Sequence, residues 1–299
     1  MAVISIMAVI TAACSQLPEQ ASSDAASELV VLDDTEGEFL FRAEQRLITA
    51  CMRDRGYDQW TEAPAAPAIP KEPWDARAYD RWAWDDPARA AESGYGIRPS
   101  VEFDRRVLDQ AMTEEFAAFE RWLNSRSPEE QERILEALEG ASRVIEIQGI
   151  DGSTWTMSKA GCRGRAYEEL YGSVEDYLVL ESYRARVGNG GRNEVDEDPE
   201  YLAVERQWSV CMAEQGFNVP NPGEAYSLAF ARHESDPEFE VAMAIADAEC
   251  NLRVGLREAG ETALAKARRR IADEVGPATV EVRRIVAQAV ARAVTILEK

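Results

Sequence analysis

Cys51-Met52-Arg53-Asp54-Arg55-Gly56-Tyr57 returns later in the chain as Cys211-Met212-Ala213-Glu214-Gln215-Gly216-Phe217. The shared pattern, Cys-Met-x-x-x-Gly-aromatic, reads as the last turn of a helix. Glycine suits the left-handed position just past a helix end, which places Met at the third-last helical residue and the aromatic one residue beyond the glycine, where the two side chains meet. The cysteine precedes this cap by one residue, so it is held on the helix in a fixed direction that suits a disulfide better than a reactive thiol. The echo extends upstream: Phe41 and Tyr201, Ile48 and Trp208, and Ala50 and Val210 stand at matching distances before the two cysteines. At helical spacing these positions follow one stripe. Each cysteine then lies on or beside the buried face, with Arg46, Arg53 and Asp54, or Glu205, Arg206 and Glu214, turned outward. The repetition implies two disulfide-tied helical halves from a divergent duplication.

A chain of 299 residues with 45% apolar residues has length for one large or two ordinary domains and for a sizeable core. Its 55 acidic residues against 33 basic ones leave a net charge of −22, which repels nucleic acid and anionic headgroups and excludes nucleic acid as a partner. Lysine is confined to Lys71, Lys159, Lys266 and Lys299 while alanine is abundant, a bias expected of a high-GC genome.

Residues 1–13 are almost entirely apolar. They are too few to span a bilayer but enough for the apolar part of a signal peptide. Ala12-Ala13-Cys14-Ser15 resembles the lipobox of bacterial lipoproteins, in which cleavage precedes a cysteine that carries the lipid. The resemblance departs from that pattern at Thr11, where Leu is usual, and in the lack of Lys or Arg before the apolar run, which a start further upstream would supply. It implies lipidation of Cys14, acyl chains such as palmitate in the cell membrane, and a flexible tether over 14–35. With Cys14 set aside, Cys51, Cys162, Cys211 and Cys250 make an even four, as in an exported protein. Four cysteines allow three pairings, and the duplication favours Cys51 with Cys162 and Cys211 with Cys250. No CxxC is present and no cysteine or histidine pair has zinc-ligand spacing, so no metal or cofactor is expected.

The first half spans 36–188. Its first helix covers about 36–55, and a Trp- and Pro-rich connection follows over 58–99. There Trp74, Tyr79, Trp82 and Trp84 either form a platform for a sugar, peptide or partner segment or pin a long loop to the helices beneath. A helical stripe returns from Val101 to Leu123. Ser127-Pro128-Glu129-Glu130 is a capping box with proline in the first turn. Residues 144–157 leave room for one short β-hairpin around Gly149-Ile150-Asp151-Gly152. A helix from Cys162 breaks at Gly172 and stops at Gly188-Asn189-Gly190-Gly191.

Residues 189–197 read as a linker whose acids complement a helix start, and the glycines lack the Lys-Ser/Thr of a phosphate loop. The second half, 198–299, uses Asp198-Pro199-Glu200 and Asp236-Pro237-Glu238 as helix starts. After Gly260 a charged helix, a break at Gly276-Pro277 and a final helix are expected. The last helix carries Val282, Ile285 or Val286, Ala289, Ala293 and Ile296 or Leu297 on one side. That stripe serves either its own domain or an envelope protein partner.

The Asp-Pro-Glu-aromatic start, the Trp208-x-x-Cys211-Met212-x-x-x-Gly216-Phe217 cap, and Gly161-Cys162 with Leu170-Tyr171-Gly172 together are similar to uncharacterised exported lipoproteins of high-GC Gram-positive (actinobacterial) bacteria. That resemblance implies a location and a cysteine framework, and no reaction. Catalytic chemistry finds little support in the residues: His233 is the one histidine, and no nucleophile elbow or Ser-x-x-Lys accompanies it. The expectation is therefore an all-α, or mainly α, protein anchored to the outer face of the cytoplasmic membrane with a non-enzymatic binding or scaffolding role. The alternatives are an enzyme on cell-wall polymers, or a small-ligand receptor, using the Trp-rich loop. An active site would place Trp82 and Trp84 in a hollow with a desolvated carboxylate.

Overall fold

The computed structural model describes residues 34–63, 82, 84–102, 105, 113–188 and 190–298. The chain is mainly α-helical with one two-stranded antiparallel sheet, and two disulfides join Cys51 to Cys162 and Cys211 to Cys250. It divides into two compact units, one within Met1–Ile69, Leu108–Gly188 and Ala272–Lys299, the other within Pro70–Val107 and Asn189–Ile271. The change of unit after Gly188 coincides with the start of the expected linker. The units nevertheless differ from contiguous halves. Trp82, Tyr95 and Ile97, in the connection assigned to the first half, bury their side chains in the core of the second unit.

In the first unit, α1 (Asp34–Asp54) ends in the expected cap. Gly56 adopts φ 91°, its N–H donates to Arg53 O, and the Tyr57 N–H reaches back to Met52 O at 3.1 Å. Helices α3 (Glu114–Asn124) and α4 (Pro128–Glu139) follow, the latter started by the Ser127–Glu130 capping box with both reciprocal bonds present. The hairpin forms as β1 (Val144–Gln148) and β2 (Thr154–Ser158), with Ile145 opposite Met157 and Ile147 opposite Trp155. Helices α5 (Cys162–Tyr171) and α6 (Val174–Gly188) are separated by left-handed Gly172. Ile48, Met52, Trp60, Phe119, Leu123, Ile134, Leu138, Cys162 and Ala166 make a common core.

Gly161 sets the position of Cys162. A Cβ there would lie 2.3 Å from the Leu138 carbonyl oxygen and from the Glu139 carbonyl carbon, so only glycine lets the end of α4 rest on the start of α5. We predict that Gly161→Ala costs at least about 2 kcal/mol in urea denaturation, because the obstacle is backbone. Gly188→Ala, which meets nothing within 4 Å, should cost nothing.

The second unit contains α2 (Pro87–Ser93), α7 (Arg192–Val195), α8 (Pro199–Glu214), α9 (Pro222–Arg232) and α10 (Pro237–Val254). Asp86, Asn221 and Asp236 each cap a helix that begins with proline, as Asp198 does at the expected start of α8. The second cap repeats the first: Gly216 has φ 92° and the Phe217 N–H donates to Met212 O at 2.9 Å. The described residues 190–197 of the expected linker include packed ones. Within them Val195 is fully buried on a short helix, and Gly191 lies against Ala267 and Ile271.

The last element, α11 (Leu256–Leu297), corrects two expectations. Gly260 lies inside this helix, and Gly276-Pro277 does not break it. A proline inside a helix costs about 3 kcal/mol. On either side of it Ile271, Val275, Val282 and Ile285 are all buried, and that burial outweighs the cost. The stripe Val282, Ile285, Val286, Ala289, Ala293 and Ile296 is likewise buried within the chain. An envelope partner of this helix would meet its other face, where Val280 is 77% and Val294 41% exposed.

Candidate functional site

Of the aromatic residues proposed for binding, Trp74 and Tyr79 lie outside the described residues, as does Cys14, while Trp82 and Trp84 are in the second unit. Trp82 is 2% exposed. Its indole covers Gly260, where a Cβ would come within 2.1 Å of the ring, and meets Tyr201 edge-on at 6.0 Å. This contact explains the glycine inside α11. Gly260→Val should expel the indole, read as a red-shifted tryptophan emission together with a lowered melting temperature.

Trp84 is partly buried, tilted against Tyr95 at 5.5 Å with the Arg89 guanidinium 5.8 Å from its ring. Its indole N–H is buried and has no acceptor among the described residues. The series of rings continues from Tyr95 to Tyr226 at 5.8 Å, Phe230 at 6.4 Å and His233 at 5.1 Å. The imidazole Nδ1 of His233 is 2.6 Å from the Phe230 carbonyl oxygen.

Sequence reading missed the polar groups beneath this segment. Glu240, Asp247 and Asn251 project from α10 and are buried. Asp247, 1% exposed, accepts the Tyr95 hydroxyl on Oδ2 and the Trp208 indole N–H on Oδ1, each at 2.8 Å. Glu240 accepts the Ile97 N–H, and Gly94 (φ 57°) leaves room for its carboxylate. The Asn251 side-chain amide donates to Trp82 O at 2.7 Å while its carbonyl accepts the Arg257 N–H. Arg257 Nη1 holds both carboxylate oxygens of Asp85, at 2.7 and 2.6 Å. Burial raises Asp247 to about 7, against the lowering effect of its two hydrogen bonds. The positions 240, 247 and 251 recur at helical spacing on the same side as Met243, Ala244 and Cys250. A polar residue inside an apolar stripe was the signal available.

The first unit has a second such carboxyl. Glu44 on α1 accepts the Tyr171 hydroxyl and is raised to about 7, chiefly by burial, with the Tyr171 bond lowering it, Glu181 raising it and Arg184 and Arg163 lowering it. Tyr167 and Tyr177 stack beside it at 3.7 Å, and burial pushes both phenols upward. Arg184 pairs with Glu181 at 2.8 Å.

Carboxyls poised near neutrality are the usual raw material of general acids, but a general acid must reach its substrate. Both oxygens of Asp247 are occupied and the group is sealed from solvent. Two shallow hollows on the described surface are lined by Glu169, Ala291, Arg292, Thr295 and Ile296, and by Pro237, Glu238, Val241, Ala242 and Ile245. Neither contains Trp82, Trp84, Glu44 or Asp247. What the arrangement around Trp82 does chemically is fasten Trp82 and residues 84–102 to α10. Among the described residues no three His, Cys, Asp or Glu side chains are grouped to hold a metal ion, and no helix is long and apolar enough to cross a membrane. Compared with protein-family models, with curated proteins and with solved structures, the chain matches none.

Proposed function

We propose that this chain is an extracytoplasmic lipoprotein, held at the outer face of the cytoplasmic membrane through Cys14, with a non-enzymatic binding or scaffolding role at the cell envelope. The observation that carries the reading is the pair of cystines, one in each unit, at the ends of matching capped helices. Structural disulfides of this kind persist in oxidising compartments and are rare in reducing ones. The fifth cysteine stands apart from them in the lipobox-like stretch. The polar groups beneath Trp82 and Trp84 support a fastening role for these residues rather than a cleft.

Two assays on the full chain in an actinobacterial host test this. Cys14→Ser should move the protein from the membrane fraction to the medium or leave an uncleaved precursor. Purified protein incubated with isolated cell walls should release no soluble fragments detectable by mass spectrometry. Retention of the Cys14→Ser protein in the cytoplasm with the same distribution as wild type would overturn the location, and steady release of wall fragments would overturn the non-enzymatic role.

A further inference from the structure

We propose that the outward face of α10 is a docking groove for a basic amphipathic helix of a partner protein. The inference rests on the binding role proposed above and gives that role a surface and a partner chemistry. α10 divides lengthwise. On one side Met243, Asp247 and Cys250 are buried. On the other, Pro237, Ala242 and Leu252 are exposed, Leu252 by 58%, and Val241 and Ile245 are half-buried. Val241, Ile245 and Leu252 recur at i, i+4 and i+11, so they form one row down the helix. A surface hollow lies along this row, lined by Pro237, Glu238, Val241, Ala242 and Ile245, and among the described residues α10 alone lines it. A helix packed on a core normally turns polar residues outward, so an apolar row on the outer side marks a surface that a partner covers.

The rim of the row decides what it fits. Glu238 and Glu249 are exposed beside it, and Glu234 and Asp236 are exposed just before the helix. Glu234, Glu238 and Glu249 meet no cation among the described residues. The nearby arginines are engaged elsewhere: Arg232 lies over the Phe239 ring at 4.3 Å, and Arg253 pairs with Glu214 at 3.1 Å. Exposed apolar residues are not bordered this way everywhere on the chain. Val280 and Val294 of α11 have Arg283 and Arg284 beside them, and Arg284 holds both Glu281 and Asp176. An apolar row edged by uncompensated acids is complementary to apolar side chains flanked by Lys or Arg, the pattern of a helix laid in a groove. A second copy of this chain would set the same acids against each other, with a net charge of −22 on each chain. Anionic headgroups are repelled for the same reason, and the row holds no aromatic ring on which a sugar could stack. From Pro237 to Leu252 the row is about 22 Å long, which a helix of about 15 residues covers. A single face of that length belongs with the small, transient interfaces, so micromolar affinity is expected.

The test titrates the full chain carrying Cys14→Ser with a labelled amphipathic peptide of leucine and lysine, about 15 residues long, and with its leucine–glutamate counterpart. Binding is read by fluorescence anisotropy, and the chain alone is examined by sedimentation velocity. The lysine peptide should bind with micromolar Kd and the glutamate peptide at least about tenfold more weakly. Ala242→Asn with Leu252→Asn, both at exposed positions, should weaken the lysine peptide at least about tenfold. Glu238→Gln with Glu249→Gln should weaken it about threefold and flatten its salt dependence. Val280→Asn with Val294→Asn, on α11, should leave its Kd within about twofold. Several results would overturn the groove: a lysine peptide that does not bind at millimolar concentration, equal affinity for both peptides, Asn substitutions on α10 without effect, or equal weakening by those on α11. Dimers of the chain that Ala242→Asn with Leu252→Asn abolishes would assign this face to a second copy and overturn the basic partner. The measurement is made without the lipid, so its failure leaves the anchor at Cys14 standing, and failure of the anchor leaves the groove standing.

Discussion

Replacing Cys51 and Cys162 together by serine should lower the stability of the protein by several kcal/mol, and the same holds for Cys211 with Cys250. The two bonds close stretches of 111 and 39 residues. Loop-closure entropy in the unfolded chain then sets upper figures of about 5 and about 4 kcal/mol. Serine adds a second cost at Cys162 and Cys250, both fully buried, where a hydroxyl replaces sulfur among apolar neighbours. Urea denaturation of each double variant, compared with wild type in the oxidised and reduced states, measures the effect. Wild type treated with reductant should approach the variants. A denaturation midpoint unchanged by reductant would contradict both bonds as contributors to stability.

Glu44→Gln should stabilise the protein at pH 8 by up to about 3 kcal/mol and at pH 5 by less than about 1 kcal/mol. The sign follows from the direction of the shift. Glu44 is raised from 4.5 to about 7 in the folded chain, so the folded state binds the proton more tightly than the unfolded state. The resulting stabilisation is complete below about 4.5 and lost as pH rises through about 7. At pH 8 the folded protein carries a desolvated charge, which glutamine lacks while still accepting the Tyr171 hydroxyl. Asp247 adds its own loss of stability over a similar range in both proteins, so the difference between them isolates Glu44. Paired thermal melts at pH 5 and pH 8 check it. A stability difference of the same size at both pH values would mean that the carboxyl titrates alike in the folded and unfolded chain.

The features legible in the sequence are those fixed by a few neighbouring residues. The caps at Gly56 and Gly216, the Asp-Pro starts at 198 and 236, the Ser127–Glu130 box and the break at Gly172 depend on local backbone preference, and local preference is written locally. The cysteine pairing was legible for a different reason: one repeated cap implied one repeated partner. Gly260 and Pro277 were misleading because tertiary packing overrode propensity. Trp82 needs a residue without a side chain beneath it, and the buried face of α11 holds the helix together past its proline. Placement of the 82–102 segment was not legible, since the bonds that fix it join Trp82 to Asn251 and Tyr95 to Asp247 across most of the chain. Glu44 and Tyr171 are separated in the same way. The polar residues themselves were visible on an apolar stripe of α10, and that irregularity was the available clue.

The central claim is that an exported, disulfide-tied helical protein is anchored by lipid at Cys14. It is tested most directly by intact mass and non-reducing peptide mapping of the protein isolated from its own membrane fraction. Cys14 should be diacylated or triacylated at the mature N-terminus, with Cys51 bonded to Cys162 and Cys211 to Cys250. An unmodified Cys14 accompanied by four free thiols would contradict it.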